Sequence, residues 1–282
     1  MSAPKKSNPH NSINDYVWRF FVWGSAAITA FILLFLISNI LWRGIPYLSW
    51  SLFAVTYSST NVSLFPALVT TVMTTVLALL IAAPLAISTA IYLTEYAGKS
   101  NRAVHMIRIT TETLAGIPSI VYGLFGLLFF VTYLKWGFSL LAGGFTLSMM
   151  ILPLIMRTTE EALKAVPDTL REGSFGLGAG RLRTIFVIIL PAAMPGILAG
   201  IILAIGRIVG ETAALIYTAG TVAKIPTSLF DSGRTMSVHM WALSSEALHT
   251  NEAYATAVVL VVIVVGINAL SAVMARKITL EQ

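Results

Sequence analysis

The sequence predicts an all-α, polytopic membrane protein of about six transmembrane helices, and three observations predict it. Of its 282 residues, 57% are hydrophobic and 11% charged, whereas an ordinary soluble domain carries about 25% charged residues. The apolar residues gather into six stretches long enough to cross a bilayer, which takes about 20 residues as a helix. The basic residues lie between those stretches with a one-sided bias.

Taken in order, residues 1–19 form a polar tail with Lys5, Lys6, Pro4 and Pro9, expected to be mobile and cytoplasmic at least as far as Asp15. The first span is Phe20 to Leu41, with Trp18, Trp23 and Trp42 as interfacial anchors. It is longer than a signal-peptide core and no small-residue cleavage site follows, so it is expected to be retained. Arg43 to Ser63 reads as an external connection. The second span, Leu64 to Leu93, contains Pro84, which predicts a kink. Glu95 to Arg108 then reads as a basic loop. Its Gly98-Lys99-Ser100 resembles the end of a phosphate-binding loop, but Leu93 stands where the motif needs its first glycine, so no nucleotide site is expected.

Thr110 to Leu134 is the third span, bent by Pro118 and closely approached at Gly123 and Gly126. Glu112 stands at its start, where the positive end of a helix dipole would accommodate it; the other reading places it on a substrate pathway. Phe138 to Met156 is the fourth span, and Pro191 with Pro195 opens a fifth that runs to about Ala214. There, Gly196 with Gly200 and Gly206 with Gly210 offer two patches for close packing. A polar region, Thr221 to Glu252, precedes the last span, Tyr254 to Ala275, and a tail, 276–282.

Basic residues test this layout. Lys5, Lys6, Arg19, Lys99, Arg102, Arg108, Arg157, Lys164, Arg171, Arg181, Arg183, Arg276 and Lys277 fall on one side, against Arg43, Lys135, Lys224 and Arg234 on the other. The positive-inside bias puts both termini and the 157–191 loop in the cytoplasm. The net charge of +6 therefore reports topology. Nucleic acid as a partner would need basic residues gathered on one soluble face. The chain has no cysteine, which excludes disulfides and thiolate sites. His10, His105, His239 and His249 are scattered and read as solvated or interfacial side chains, not ligands.

Two places carry functional signals. In the 157–191 loop, Pro167, Asp168 and Thr169 mark a helix start, and the helix should stop near Gly178. Within it Leu170, Gly173, Ser174 and Leu177 share a face with a small-residue centre, which reads as a docking surface. In the fifth span Arg207 and Glu211 stand four residues apart in R-I-V-G-E-T-A. Charges at that depth are costly and face a pathway or each other. One reading is a self-neutralising structural pair. The other is anion handling, in which a guanidinium fork matches an oxyanion and Glu211 keeps the anion from being trapped.

The loop resembles the cytoplasmic signature of permease subunits in binding-protein-dependent ABC importers. Glu172 and two small residues are followed by Gly178 and then by Ile188-x-Leu190-Pro191, at the family spacing. Gly173-Ser174 replaces the usual Ala-Ala. The resemblance implies a coupling helix seated in a groove of an ATP-hydrolysing subunit, with Leu170, Glu172, Gly173, Ser174, Leu177 and Gly178 as its contact residues. E-Y-A at Glu95, the run from Gly116 to Leu127, and R-x-x-G-E-T-A from Arg207 to Ala213 are similar to phosphate-importer permeases of the PstA type.

That likeness implies a type I (MetI-like) permease core over 64–275 with one extra N-terminal helix, in a bacterial inner membrane and contacting its lipid. It implies no cofactor in this chain, and ATP and Mg on the partner ATPase. The implied partners are a PstC-type permease as heterodimer, two PstB-type ATP-binding subunits and an external PstS-type phosphate-binding protein. Arg207, Glu211 and Glu112 are the implied pathway residues, and no catalytic residue is expected. Sulfate and molybdate permeases share the Arg-x-x-Gly-Glu element, and an importer permease for another oxyanion (sulfate, molybdate or phosphonate) is the alternative. An ion-coupled secondary carrier is the alternative of another class; it would be expected to show internal repeats, and none is evident.

Overall fold

The computed structural model describes residues 9–97, 102–245 and 249–280. Among them there are helices and no strand. α1 is Pro9–Gly44. α2, Phe65–Ile91, is extended by a π-helical turn, Tyr92–Tyr96. α3 is Arg102–Ala115; α4, Ser119–Gly126, continues as a π-helical segment, Leu127–Tyr133. α5 is Leu140–Ala165, α6 Asp168–Gly176, and α7 Arg181–Thr184, which runs through a π-helical turn, Ile185–Ile189, into α8, Leu190–Val209. α9 is Ala213–Ile216, α10 Met236–Ser245 and α11 Thr250–Leu280.

α2 and α5 form the central pair, and their sequences explain why. Ala78, Ala82, Ala86 and Ala90 recur every four residues on α2 and are fully buried, giving a smooth seam along one face. From α5, Gly144 abuts the Leu77 side chain, and the Ser148 hydroxyl donates to the Ala78 carbonyl at 3.2 Å. Between lipid-embedded helices apolar burial gives little net drive, so close approach of small residues and shared hydrogen bonds hold the pair. Thr70, Thr71, Thr74 and Thr75 each donate to a carbonyl one turn back, which lets hydroxyls sit in this apolar seam. α8 packs on α5 where a Cβ at Gly196 would meet Ala162 and one at Gly200 would meet Thr158. The first glycine pair therefore does what its spacing predicts. A Cβ at Gly206 would meet no other part of the chain within 4 Å, and one at Gly210 only the Gly206 carbonyl, so the second patch packs against nothing within the described chain.

Five helices are long and apolar enough to span a membrane, and α3 with α4 and its π-helical continuation supplies a sixth crossing if the bent pair counts as one. The bend is 99°, far sharper than the expected curve, because the helix stops at Ala115 and restarts only after Pro118. Five other expectations need correction. Residues 9–15 are helical, α1 being 36 residues or about 54 Å long. Arg102–Arg108 belongs to α3 and not to a loop. The fifth crossing begins at Arg181 and ends at Val209, so Pro191 and Pro195 lie inside it and Glu211 beyond it. The 221–252 region contains α10, whose Met236, Ser237, Val238 and His239 are buried, and the last helix runs past Ala275 to Leu280. The Gly98-Lys99-Ser100 stretch and residues 1–8 lie outside the described residues.

Candidate functional site

The α6 segment is built to be presented. Asp168 sits in its first turn, where the dipole favours an acid. The helix ends on a left-handed residue, Gly178 at φ +80°. The Gly178 amide donates to Phe175 and the Ala179 amide to Ser174, at 2.9 and 3.1 Å. These two bonds satisfy carbonyls that the helix end would leave bare and turn the chain sharply. Leu170, Glu172, Gly173, Phe175 and Leu177 are exposed, Leu177 at 91%. Large apolar side chains thus stand free on a short polar helix, the kind of surface that a protein contact can cover.

Ser174 departs from the expected stripe. It is buried, and its hydroxyl shares a 2.8 Å hydrogen bond with that of Thr184, so it fastens α6 to α7 instead of joining the exposed face. Sequence spacing could not separate the two roles, because Ser174 does lie one turn from Leu170.

The residues expected on the pathway are arranged differently from expectation. Arg207 occupies the last turn of α8, where the dipole favours a cation. The helix stops at Val209, so Glu211 is not one turn above it. Glu211 is buried and its Oε1 accepts the Ala214 amide at 3.1 Å, closing the start of α9; its carbonyl accepts the Ser237 hydroxyl of α10. Among the described residues Arg207 makes no ion pair and is exposed. The self-neutralising pair is therefore not formed, and the reason is the helix end at Gly210.

The two runs singled out in sequence do meet. A Cβ at Gly123 would lie 2.8 Å from the Ala214 Cα, so α4 lies directly against the G-E-T-A link. The preceding Tyr122 is within the electrostatic reach of Arg207, and its hydroxyl donates to the Leu114 carbonyl at 2.8 Å, bracing the bend between α3 and α4.

Glu112 lies in the last four residues of α3, the wrong end for dipole stabilisation, so that explanation fails. It lines a charged pocket of about 330 Å³ with Arg108, Arg157, Glu160, Glu161 and Lys164. Glu160 holds both Arg108 and Lys164 at 2.6 Å.

Two clusters escaped the sequence reading. One is Glu95 with Arg171, 2.8 Å apart and largely buried. E-Y-A at Glu95 was legible as a motif, but its partner 76 residues on was not. The other is Arg234 with Tyr57 and His239. Arg234 is buried, lies 4.5 Å over the Tyr57 ring and has no carboxylate partner among the described residues. His239 is fully buried, not solvated, and meets the same ring edge-on. Burial, then the Arg234 charge, push its pKa down to about 3, against a weaker opposing contribution from the Val62 backbone.

Fold and site together define a multi-pass helical membrane protein with one short, largely exposed helix outside its spans and, at the end of a packed span, an arginine that makes no ion pair among the described residues. The chain belongs to the family described as the binding-protein-dependent transport system inner membrane component, whose model matches residues 82–279; it is an ABC importer permease of the MetI-like kind. It is 34% identical to the probable ABC transporter permease protein YqgI of Bacillus subtilis (strain 168), over 79% of this chain and 81% of that one. It is 35% identical to the phosphate transport system permease protein PstA 2 of Mycobacterium bovis (strain ATCC BAA-935 / AF2122/97), over 80% of this chain and 75% of the other. Among solved structures it resembles a bacterial alginate ABC transporter (TM-score 0.66, 16% identity, 94% of this chain and 97% of the other). It also resembles the MetNI methionine ABC transporter (TM-score 0.60, 18% identity, 76% and 94%). At those identities the likeness is one of fold.

Proposed function

We propose that this chain is a permease subunit of an ATP-driven inorganic phosphate importer, both termini and α6 facing the cytoplasm. It pairs with a PstC-type permease, receives phosphate from an external PstS-type protein, and seats α6 in a PstB-type subunit where ATP and Mg bind. The observation that carries the anion assignment is Arg207: a permanently charged, fork-shaped donor set that is exposed, makes no ion pair among the described residues and lies within electrostatic reach of Tyr122. Its cost at that depth calls for a use. The matched relatives named as phosphate permeases favour phosphate over sulfate or molybdate.

Arg207→Gln keeps length and polarity and removes charge and fork, so uptake of labelled phosphate should be lost at unchanged membrane abundance. Because Glu211 is already held by the Ala214 amide, the single change strands no charge, and adding Glu211→Gln should restore nothing. Near-normal uptake by Arg207→Gln, or uptake inhibited by sulfate or molybdate as strongly as by unlabelled phosphate, would refute the phosphate pathway.

A further inference from the structure

Arg171 ties α6 to two other places at once. Its Nη2 donates to Glu95 Oε1 at 2.8 Å and to the Leu163 carbonyl at 2.9 Å. Its Nη1 donates to the Val166 carbonyl at 2.8 Å and to Asp168 Oδ1 at 3.0 Å, and its Nε faces Glu95 again at 3.3 Å. Glu95 belongs to the π-helical turn that prolongs α2, and Leu163 and Val166 are among the last carbonyls of α5, where a cation is favoured. The Arg171 and Glu95 side chains are only 15% and 10% exposed. Hydrogen bonding to Glu95 raises the guanidinium pKa further above its already high value, so the charge is permanent.

Among the described residues little else fixes α6. Its remaining packing is with α7 and the π-helical turn after it, through the Ser174–Thr184 hydrogen bond. Its chain connections are short and extended before it, Val166-Pro167, and glycine-punctuated after it, Gly178 to Gly180. A displacement of α6 thus has two routes into the membrane part: through Ser174 to the helix that carries Arg207, and through Arg171 to the α2–α5 pair. A forked arginine-carboxylate contact has fixed geometry in a way that a single-point lysine contact does not.

We propose that Glu95 and Arg171 form a transmission strut, positioning residues that carry the displacement of the partner-bound α6 into the paired α2 and α5. This rests on the reading of α6 as the ATPase-docking helix.

The chain contains no cysteine, so thiols can be placed at will. The complex captured on this chain from its own membrane is reconstituted in lipid vesicles, and phosphate taken up per ATP hydrolysed is measured. The variants are Glu95→Gln, Arg171→Lys, and the pair Glu95→Cys with Arg171→Cys before and after bridging by a thiol-to-thiol cross-linker. The strut predicts that Glu95→Gln and the unbridged cysteine pair retain the ATPase subunit and hydrolyse ATP, while uptake per ATP falls about tenfold, equivalent to about 1.4 kcal/mol of lost coupling. Arg171→Lys should fall between, and bridging should return the ratio toward wild type.

A ratio that stays at the wild-type value in Glu95→Gln and in the unbridged pair, or that bridging leaves low, overturns the strut; lower abundance with an unchanged ratio is the signature of mere structural support. Should Glu95→Gln fail to assemble, Arg171→Lys, which keeps the ion pair, decides the question by the same ratio. The docking reading fails separately: in that case the wild-type complex itself brings no ATP-hydrolysing subunit with α6.

Discussion

The two ends of the bundle handle charge in opposite ways. At the α6 end, Glu160 is shared by Arg108 and Lys164, and Arg171 is shared among Glu95, Asp168 and two carbonyls; the helix they support is otherwise exposed. At the α10 end, Arg234 and His239 are buried around Tyr57 with no carboxylate beside them among the described residues. A helix held by a few oriented polar bonds can be grasped as a unit and can pass its displacement along those bonds. A buried cation stacked on an aromatic ring beside a neutral histidine instead carries a desolvation cost, offset in part by the ring face. The first arrangement suits movement; the second makes a packed cluster whose charge balance depends on protonation.

The largest effect expected at the α6 end comes from Gly178→Leu. Nothing lies within 4 Å of a Cβ there, so the cost is the left-handed backbone alone, about 1–2 kcal/mol. That is enough to unwind the turn without evicting the subunit from the membrane. ATP-dependent uptake should fall about tenfold or more at normal abundance. Undiminished uptake would mean that the shape of this turn is irrelevant to transport.

The α10 end should instead reveal itself through pH. Folded His239 takes up a proton only near pH 3, whereas its ordinary pKa is 6.5. Below pH 6.5 the unfolded chain therefore binds the proton first. Stability present above that value is lost as pH falls, by about 1.4 kcal/mol per unit within the window. The thermal unfolding midpoint of the purified protein should drop between pH 6.5 and 5, and His239→Phe should flatten that drop. An equal slope in the variant would place the titrating group elsewhere.

How much of this was legible in the sequence depends on the range of the interactions. Helix existence, the glycine pair at Gly196 and Gly200, the start of α6 at Pro167 and Asp168, and its stop at Gly178 rest on local periodicity and backbone chemistry, which the sequence carries directly. The Arg207–Glu211 pair does not form because spacing presumes an unbroken helix, and one glycine ends it. The dipole reading of Glu112 fails because the helix begins eight residues earlier than hydropathy implies, the charged Arg102 to Arg108 portion being amphipathic and not apolar. Ser174 shares its face with Leu170 by register, and only the position of Thr184 turns it inward. Glu95–Arg171 and Arg234–Tyr57–His239 join residues far apart in the chain, for which no local pattern exists.

A small effect sharpens the contrast further. Gly173 sits mid-helix with open space around it, so Gly173→Ala should stabilise the protein by about 0.5–1 kcal/mol and leave uptake unchanged. Loss of uptake would show that the partner needs the bare backbone there.

The central claim, that α6 is the surface on which an ATP-hydrolysing subunit docks, is tested most directly by cross-linking from single introduced thiols in this cysteine-free chain. With a short thiol-reactive photo-cross-linker in intact membranes, Leu177→Cys, at a 91% exposed position, should yield an adduct with the ATP-binding chain. Ser174→Cys, at a buried position, should yield little. An adduct from Ser174→Cys but none from Leu177→Cys, or no ATP-binding chain in either adduct, would contradict the account.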